Sequence, residues 1–185
     1  MALSEEKIKK NTKKYLETGL AKGFINDELI NLLGQTFISA PASLSSDQNN
    51  SFEGGLIDHL LLTTKYAVSI NDSLPEDERV DKDSLIKVCL LYQIGKTFMF
   101  EKQTSEWHLN KGINYSFYKQ NPPLKVSQLS LYYLSLCGIK LTIEEYTAIA
   151  NFDVEDQQVK YHNSRLGDLL RAGNTFAIHK EKQNK

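Results

Sequence analysis

The sequence predicts a mainly α-helical domain carrying a small aromatic β-hairpin, and three features carry that prediction. Apolar residues recur at helical spacing in several separate stretches, Leu56 to Ile70 and Leu85 to Leu91 most densely. Helix-start chemistry stands where those stretches begin, most completely in Thr142-Ile143-Glu144-Glu145, where the Thr and the Glu three residues on can satisfy each other's backbone donors. Between Thr97 and Gln120 the pattern changes to aromatics and alternation.

In chain order, residues 5–22 place Ile8, Tyr15, Leu16 and Leu20 near one face among several lysines, with Gly23 suited to stop the helix. Asn26 caps a second helix carrying Leu29, Ile30, Leu32, Leu33 and Phe37, which ends before Pro41. Residues 40–50 read as a loop long enough to cover something. Gly54-Gly55 opens a buried helix to about Asn71, with His59 inside it. After Pro75 to Arg79, Asp81 or Asp83 caps a helix that is apolar nearly all round and is expected to close at Gly95. Phe98, Phe100, Trp107, Leu109, Ile113, Tyr115 and Phe117 form the expected hairpin, turning at Asn110-Lys111-Gly112. Val126 to Cys137, Ile143 to Asn151 and a stretch from about Asn163 to Phe176 are the remaining helices.

A chain of 185 residues, 41% hydrophobic and 24% charged, suits one domain with one core. The expected division is 1–51 as N-terminal helices and loop, 52–176 as the helical domain, and 177–185 as a basic tail. A formal charge of −1 disfavours nucleic acid as a partner. Cys89 and Cys137 sit in apolar helical patterns, as buried thiols of a reducing compartment do. No apolar run approaches a membrane span, so a cytoplasmic protein with no membrane partner is expected.

Four local signatures together resemble the HD-domain superfamily of metal-dependent phosphohydrolases, particularly the compact versions encoded by bacteriophages. They are Gly54-Gly55-Leu56-Ile57-Asp58-His59, the helix end Tyr92-Gln93-Ile94-Gly95-Lys96, the aromatic hairpin, and Leu141-Thr142-Ile143-Glu144-Glu145. The resemblance implies an HD-like helical bundle over roughly residues 52–175, with a final metal ligand at Asp168. It also implies where the chain departs. The family's adjacent His-Asp ligands are replaced by Tyr92 and Gln93, and two second-metal histidines fall near Lys125 and Phe152. A divalent ion needs several converging nitrogen or charged oxygen ligands, which a protonated phenol and a neutral amide do not replace.

The expected function is therefore a catalytically inactive HD-like module used for binding or structure, in a phage and in virion assembly, without cofactor. A divalent metal belongs only to the enzymatic reading. His59 stands either as a residual ligand or as a histidine bonded to Asp168 or Gln93; Asp168 could instead pair with Arg165 or Arg171. Lys96 either contacts a phosphate or complements a helix dipole. Protein partners or self-assembly would use Trp107, Tyr115, Phe117 and Tyr118. The remaining family-type ligands are His59 and Asp168, with His162 nearby, and the alternative is a nucleotide-binding protein or weak phosphohydrolase holding phosphate with Lys96, Lys125, Arg165 and His59.

Overall fold

The computed structural model describes residues 3–119, 123–154 and 164–183. Within them the chain forms eight α-helices and one two-stranded antiparallel sheet. The helices are α1 (Glu5–Ala21), α2 (Asp27–Ser39), α3 (Gly55–Ser73), α4 (Lys82–Leu91), α5 (Glu106–Asn110), α6 (Val126–Leu136), α7 (Ile143–Ala150) and α8 (Arg165–Gln183). The strands are β1 (Phe100–Lys102) and β2 (Tyr115–Phe117), paired with Phe100 opposite Phe117.

The start signals act as their chemistry requires. Asn26 accepts a bond from Leu29 N–H, Asp81 from Ser84 N–H, and Thr142 and Glu145 form the reciprocal capping box. Gly23 ends α1 with φ 65°, in the left-handed region that favours glycine.

α3 is the central helix, packed against α1, α2, α4 and α8. Leu56, Ile57, Leu60 and Ala67 make its buried face. α3 and α8 approach closely where α8 carries Gly173, since a Cβ there would lie 2.7 Å from Ala67 Cβ and 2.8 Å from the Thr63 carbonyl oxygen. The interior joins this centre to Tyr15 of α1, Leu29 and Phe37 of α2, and Ile149 of α7.

Four expectations need correction. α2 is not continuous: Gly34, at φ 50° and ψ −150°, breaks it. α4 does not close at Gly95 but at Leu91, and Gly95 lies in a 3-10 turn over Ile94–Phe98. A Cβ on Gly95 would meet the Val126 carbonyl oxygen at 2.6 Å, so the glycine permits backbone approach to α6. Asn110-Lys111-Gly112 is not a hairpin turn; it ends α5, which separates the two strands and carries Trp107 and Leu109. Finally, 177–183 is no tail, because α8 runs unbroken to Gln183 with Ala177 and Glu181 buried. The expected start of this helix near Asn163, and His162, lie outside the described residues.

No helix among the described residues is long and apolar enough to cross a membrane.

Candidate functional site

His59 lies near the middle of the interior, with about 1% of its surface exposed. Helical spacing decides its company. Thr63 follows four residues later on the same face of α3, and Asn174 and Glu181, seven apart, share the facing side of α8. Tyr92 enters from the C-cap of α4.

His59 Nδ1 is 2.9 Å from Glu181 Oε1, and the two side chains are almost wholly buried. A carboxylate only accepts, so Nδ1 carries the hydrogen and donates it. Asn49 Nδ2 stands 3.3 Å from the same nitrogen. On the other side of the ring, Nε2 is 2.9 Å from both the Tyr92 hydroxyl and Asn174 Oδ1. The Tyr92 hydroxyl donates to Asn174 Oδ1 at 3.0 Å and lies 3.3 Å from Thr63 Oγ1. Burial pushes the Tyr92 phenol well above its usual range, which keeps it protonated and a donor.

The network continues outward through the loop before α3. Asn50, in the left-handed region at φ 42°, donates from Nδ2 to Glu181 Oε1 at 3.1 Å and to Asp58 Oδ2 at 3.0 Å. Asn11 of α1 donates to Asp58 Oδ1 at 2.8 Å. Loop 40–50 therefore does cover something: it supplies Asn49 and Asn50 to the histidine. Its Leu44 carbonyl also accepts from Asn114 and Tyr115 at the entry to β2.

The residues implied as metal ligands do not assemble into a ligand set. Asp168 is 60% exposed and 4.0 Å from Arg171. Neither Asp168 nor Gln93 bonds to His59; the partners from α8 are Asn174 and Glu181. Gln93 is buried, and its Oε1 has no hydrogen-bond partner among the described residues. Phe152 stacks edge-on against Tyr92, their centroids 4.5 Å apart. With both imidazole nitrogens bonded, a protonated phenol at Tyr92 and a neutral amide at Asn174, these side chains do not fit a divalent ion.

Lys96 and Lys125 share a surface cleft of about 500 Å3 with Asn49, Asp153 and the rings of Phe100 and Phe117. Lys96 Nζ donates to the Ala42 carbonyl at 2.6 Å. Burial lowers its pKa to about 8, against the opposing pull of Glu181 and Asp153. Asp153 caps α6 through Ser127 N and Oγ, at 3.0 and 2.6 Å. Lys125 stands at the N-cap of α6, its amide donating to Gln128 Oε1. Arg165 lies elsewhere, bonded to the Glu78 carbonyl at 2.7 Å.

Of the four aromatic candidates for a partner surface, Trp107, Phe117 and Tyr118 are exposed. Tyr115 is buried and is corrected out of that surface. Lys111 Nζ sits 3.6 Å over the Trp107 ring.

The residues that sequence reasoning missed are Glu181, Asn174 and Asn50. Glu181 stands four residues after Ala177 and eleven after Leu170, on the buried stripe of α8, and extending the helical period past Phe176 is the signal that finds it. Comparison of the chain with protein-family models, with curated proteins and with solved structures gives no significant match.

Proposed function

We propose that the chain is a catalytically inactive HD-like domain acting as a binding module. The observation that supports this reading is the side-chain set where the first two signatures meet α8. His59 is there, on the helix the resemblance assigns to it, but Tyr92, Asn174 and Glu181 use both its nitrogens in buried hydrogen bonds. A core of this kind keeps its fold while lacking the charged, converging ligands that metal hydrolysis needs. Partner binding would fall to the β1–α5–β2 insertion, where Trp107, Phe117 and Tyr118 present exposed rings. In its fullest form the proposal places the protein in a phage assembly.

The test is metal analysis of protein purified without chelator, run beside a phosphoester and nucleotide panel. The expected result is no stoichiometric divalent metal and no turnover. Stoichiometric metal with turnover abolished by His59→Ala overturns the reading.

The cleft favours a second reading, anion or nucleotide binding. Lys96 brings an ammonium with three donors, and its hydrogen bond among the described residues is to Ala42. An anion there would pair with Lys96 and Lys125 while Phe100 and Phe117 flank it. Thermal shifts with inorganic phosphate and nucleotides, present in the wild type and absent in Lys96→Met, support it; no shift with any of them removes it.

A further inference from the structure

A second interior space, between α1 and α2, belongs to neither reading. Its volume is about 110 Å3, and its wall includes Tyr15 and Leu16 of α1 and Ile30, Leu33 and Phe37 of α2. Gly34 adds no side chain to that wall, and its break sets Leu33 and Phe37 on separate helical segments. A space with so few polar partners gives water little to bond to, so an apolar occupant is favoured.

One polar atom in it is unspent. Thr12 lines the cavity, and its Oγ1 is buried with no hydrogen-bond partner among the described residues. Helical threonines commonly bond back to the carbonyl four residues earlier, and this one does not. Tyr15, the other hydroxyl in the wall, already donates to the Leu90 carbonyl at 3.1 Å.

The cavity also has an approach. Thr12, Leu16 and Ile38 line both the cavity and a surface groove of about 690 Å3 along α1. All three side chains are partly exposed. The charged groups of the groove are Glu5, Lys9, Lys13, Glu17 and Glu53. Lys13 is already paired with Glu17 at 3.7 Å, and acidic groups outnumber basic ones. An anionic head group therefore meets no net attraction at this mouth.

We propose that the α1–α2 cavity is a binding site for a short, uncharged aliphatic alcohol, its hydrocarbon chain against the apolar wall and its hydroxyl bonded to the buried Thr12 Oγ1. Since an apolar cavity of about 150 Å3 accepts benzene, this smaller one, of about 110 Å3, suits a propyl or butyl chain.

Methyl NMR titration of the full chain tests this with xenon, straight-chain alcohols from propanol to octanol, and butyrate. Leu16, Ile30 and Leu33 methyls should shift with xenon and with alcohols. Affinity should rise about fourfold per methylene until the cavity is full, then level off. Butyrate should bind more weakly than butanol. Thr12→Val should weaken butanol by about fivefold while leaving xenon unchanged, and Ile30→Phe should remove both. The proposal is overturned by unmoved methyls in the wild type, by affinity independent of chain length, by butyrate matching butanol, or by xenon binding retained in a folded Ile30→Phe. Unchanged butanol affinity in Thr12→Val overturns the hydroxyl seat even where Ile30→Phe does not fold.

Discussion

Around His59 the interior is polar and hydrogen-bonded, whereas between α1 and α2 it is apolar and hollow. The first region joins side chains from three helices and a loop, and hydrogen bonds link His59 to Glu181 and Tyr92, and Tyr92 to Asn174. The second has space of about 110 Å3 and a threonine hydroxyl with no hydrogen-bond partner among the described residues. Residue types that carry chemistry mark the first region, yet the second has the room and the unsatisfied atom that a ligand needs. Reactive residue types locate a site only when their bonds are still available.

The largest way to break that contrast is to remove Glu181. Glu181→Ala leaves His59 Nδ1 and Asn50 Nδ2 without their buried carboxylate, and losing one member of a buried pair costs about 3 kcal/mol. Denaturant unfolding reads this directly, and deletion of residues 177–185 should cost at least as much. A loss below about 1 kcal/mol would mean that α8 does not hold the network together.

Lys96 tests the border of the hydrogen-bonded region by pH. Its folded pKa of about 8 lies below the ordinary 10.5, so the unfolded chain binds the extra proton between those values. Stability contributed by this group therefore rises with pH across that window, and burying the charge costs most below pH 8. Comparison of the wild type with Lys96→Met isolates the group from other lysines and tyrosines. The stability gap should move in favour of the wild type by about 2 kcal/mol between pH 7.5 and 10. A gap independent of pH contradicts the burial of this ammonium.

Two hydroxyl deletions sharpen the comparison because their signs should differ. Tyr92→Phe strips a partner from His59 Nε2 and Asn174 Oδ1 and should cost about 1 kcal/mol. Thr12→Val removes a buried oxygen that bonds to none of the described residues and should be neutral or stabilising by up to about 1 kcal/mol. Gln93→Leu belongs with Thr12→Val, since its Oε1 is also buried without a partner among the described residues. Equal losses at Tyr92 and Thr12 would erase the distinction between the two regions.

Helix identity was largely legible in the sequence because caps and apolar period are local signals: Asn26, Asp81 and Thr142 start helices where their side chains reach the next backbone amides. The misread elements each depended on something distant or positional. Gly95 looks like a helix stop, and its use is set by how near α6 comes. Gly34 looks tolerable inside a helix, and the chain breaks there. Lysines around Glu181 resemble a solvated tail, although Glu181 itself falls on the buried stripe. At the site, His59 and Tyr92 were legible from their helices, while Asn174 and Asn50 are ordinary amides whose role appears only once α8 and the loop are placed against α3.

Asp168 carries the smallest expected effect and the most direct test of transferring site residues by motif. Gly167-Asp168-Leu169-Leu170 fits the pattern by type and order, but helical phase sends Leu169 and Leu170 inward and leaves Asp168 at the surface. An exposed carboxylate in the first turn of a helix, 4.0 Å from an arginine, contributes through the helix dipole and a screened pair, a few tenths of a kcal/mol in all. Asp168→Ala should therefore shift the unfolding free energy by less than about 0.5 kcal/mol and lose that small effect in high salt. Asn174→Ala, six residues along the same helix, should exceed it, because that change removes the acceptor of the buried Tyr92 hydroxyl. If Asp168→Ala proves the more damaging of the two, the motif locates the important carboxylate and the packing around His59 does not.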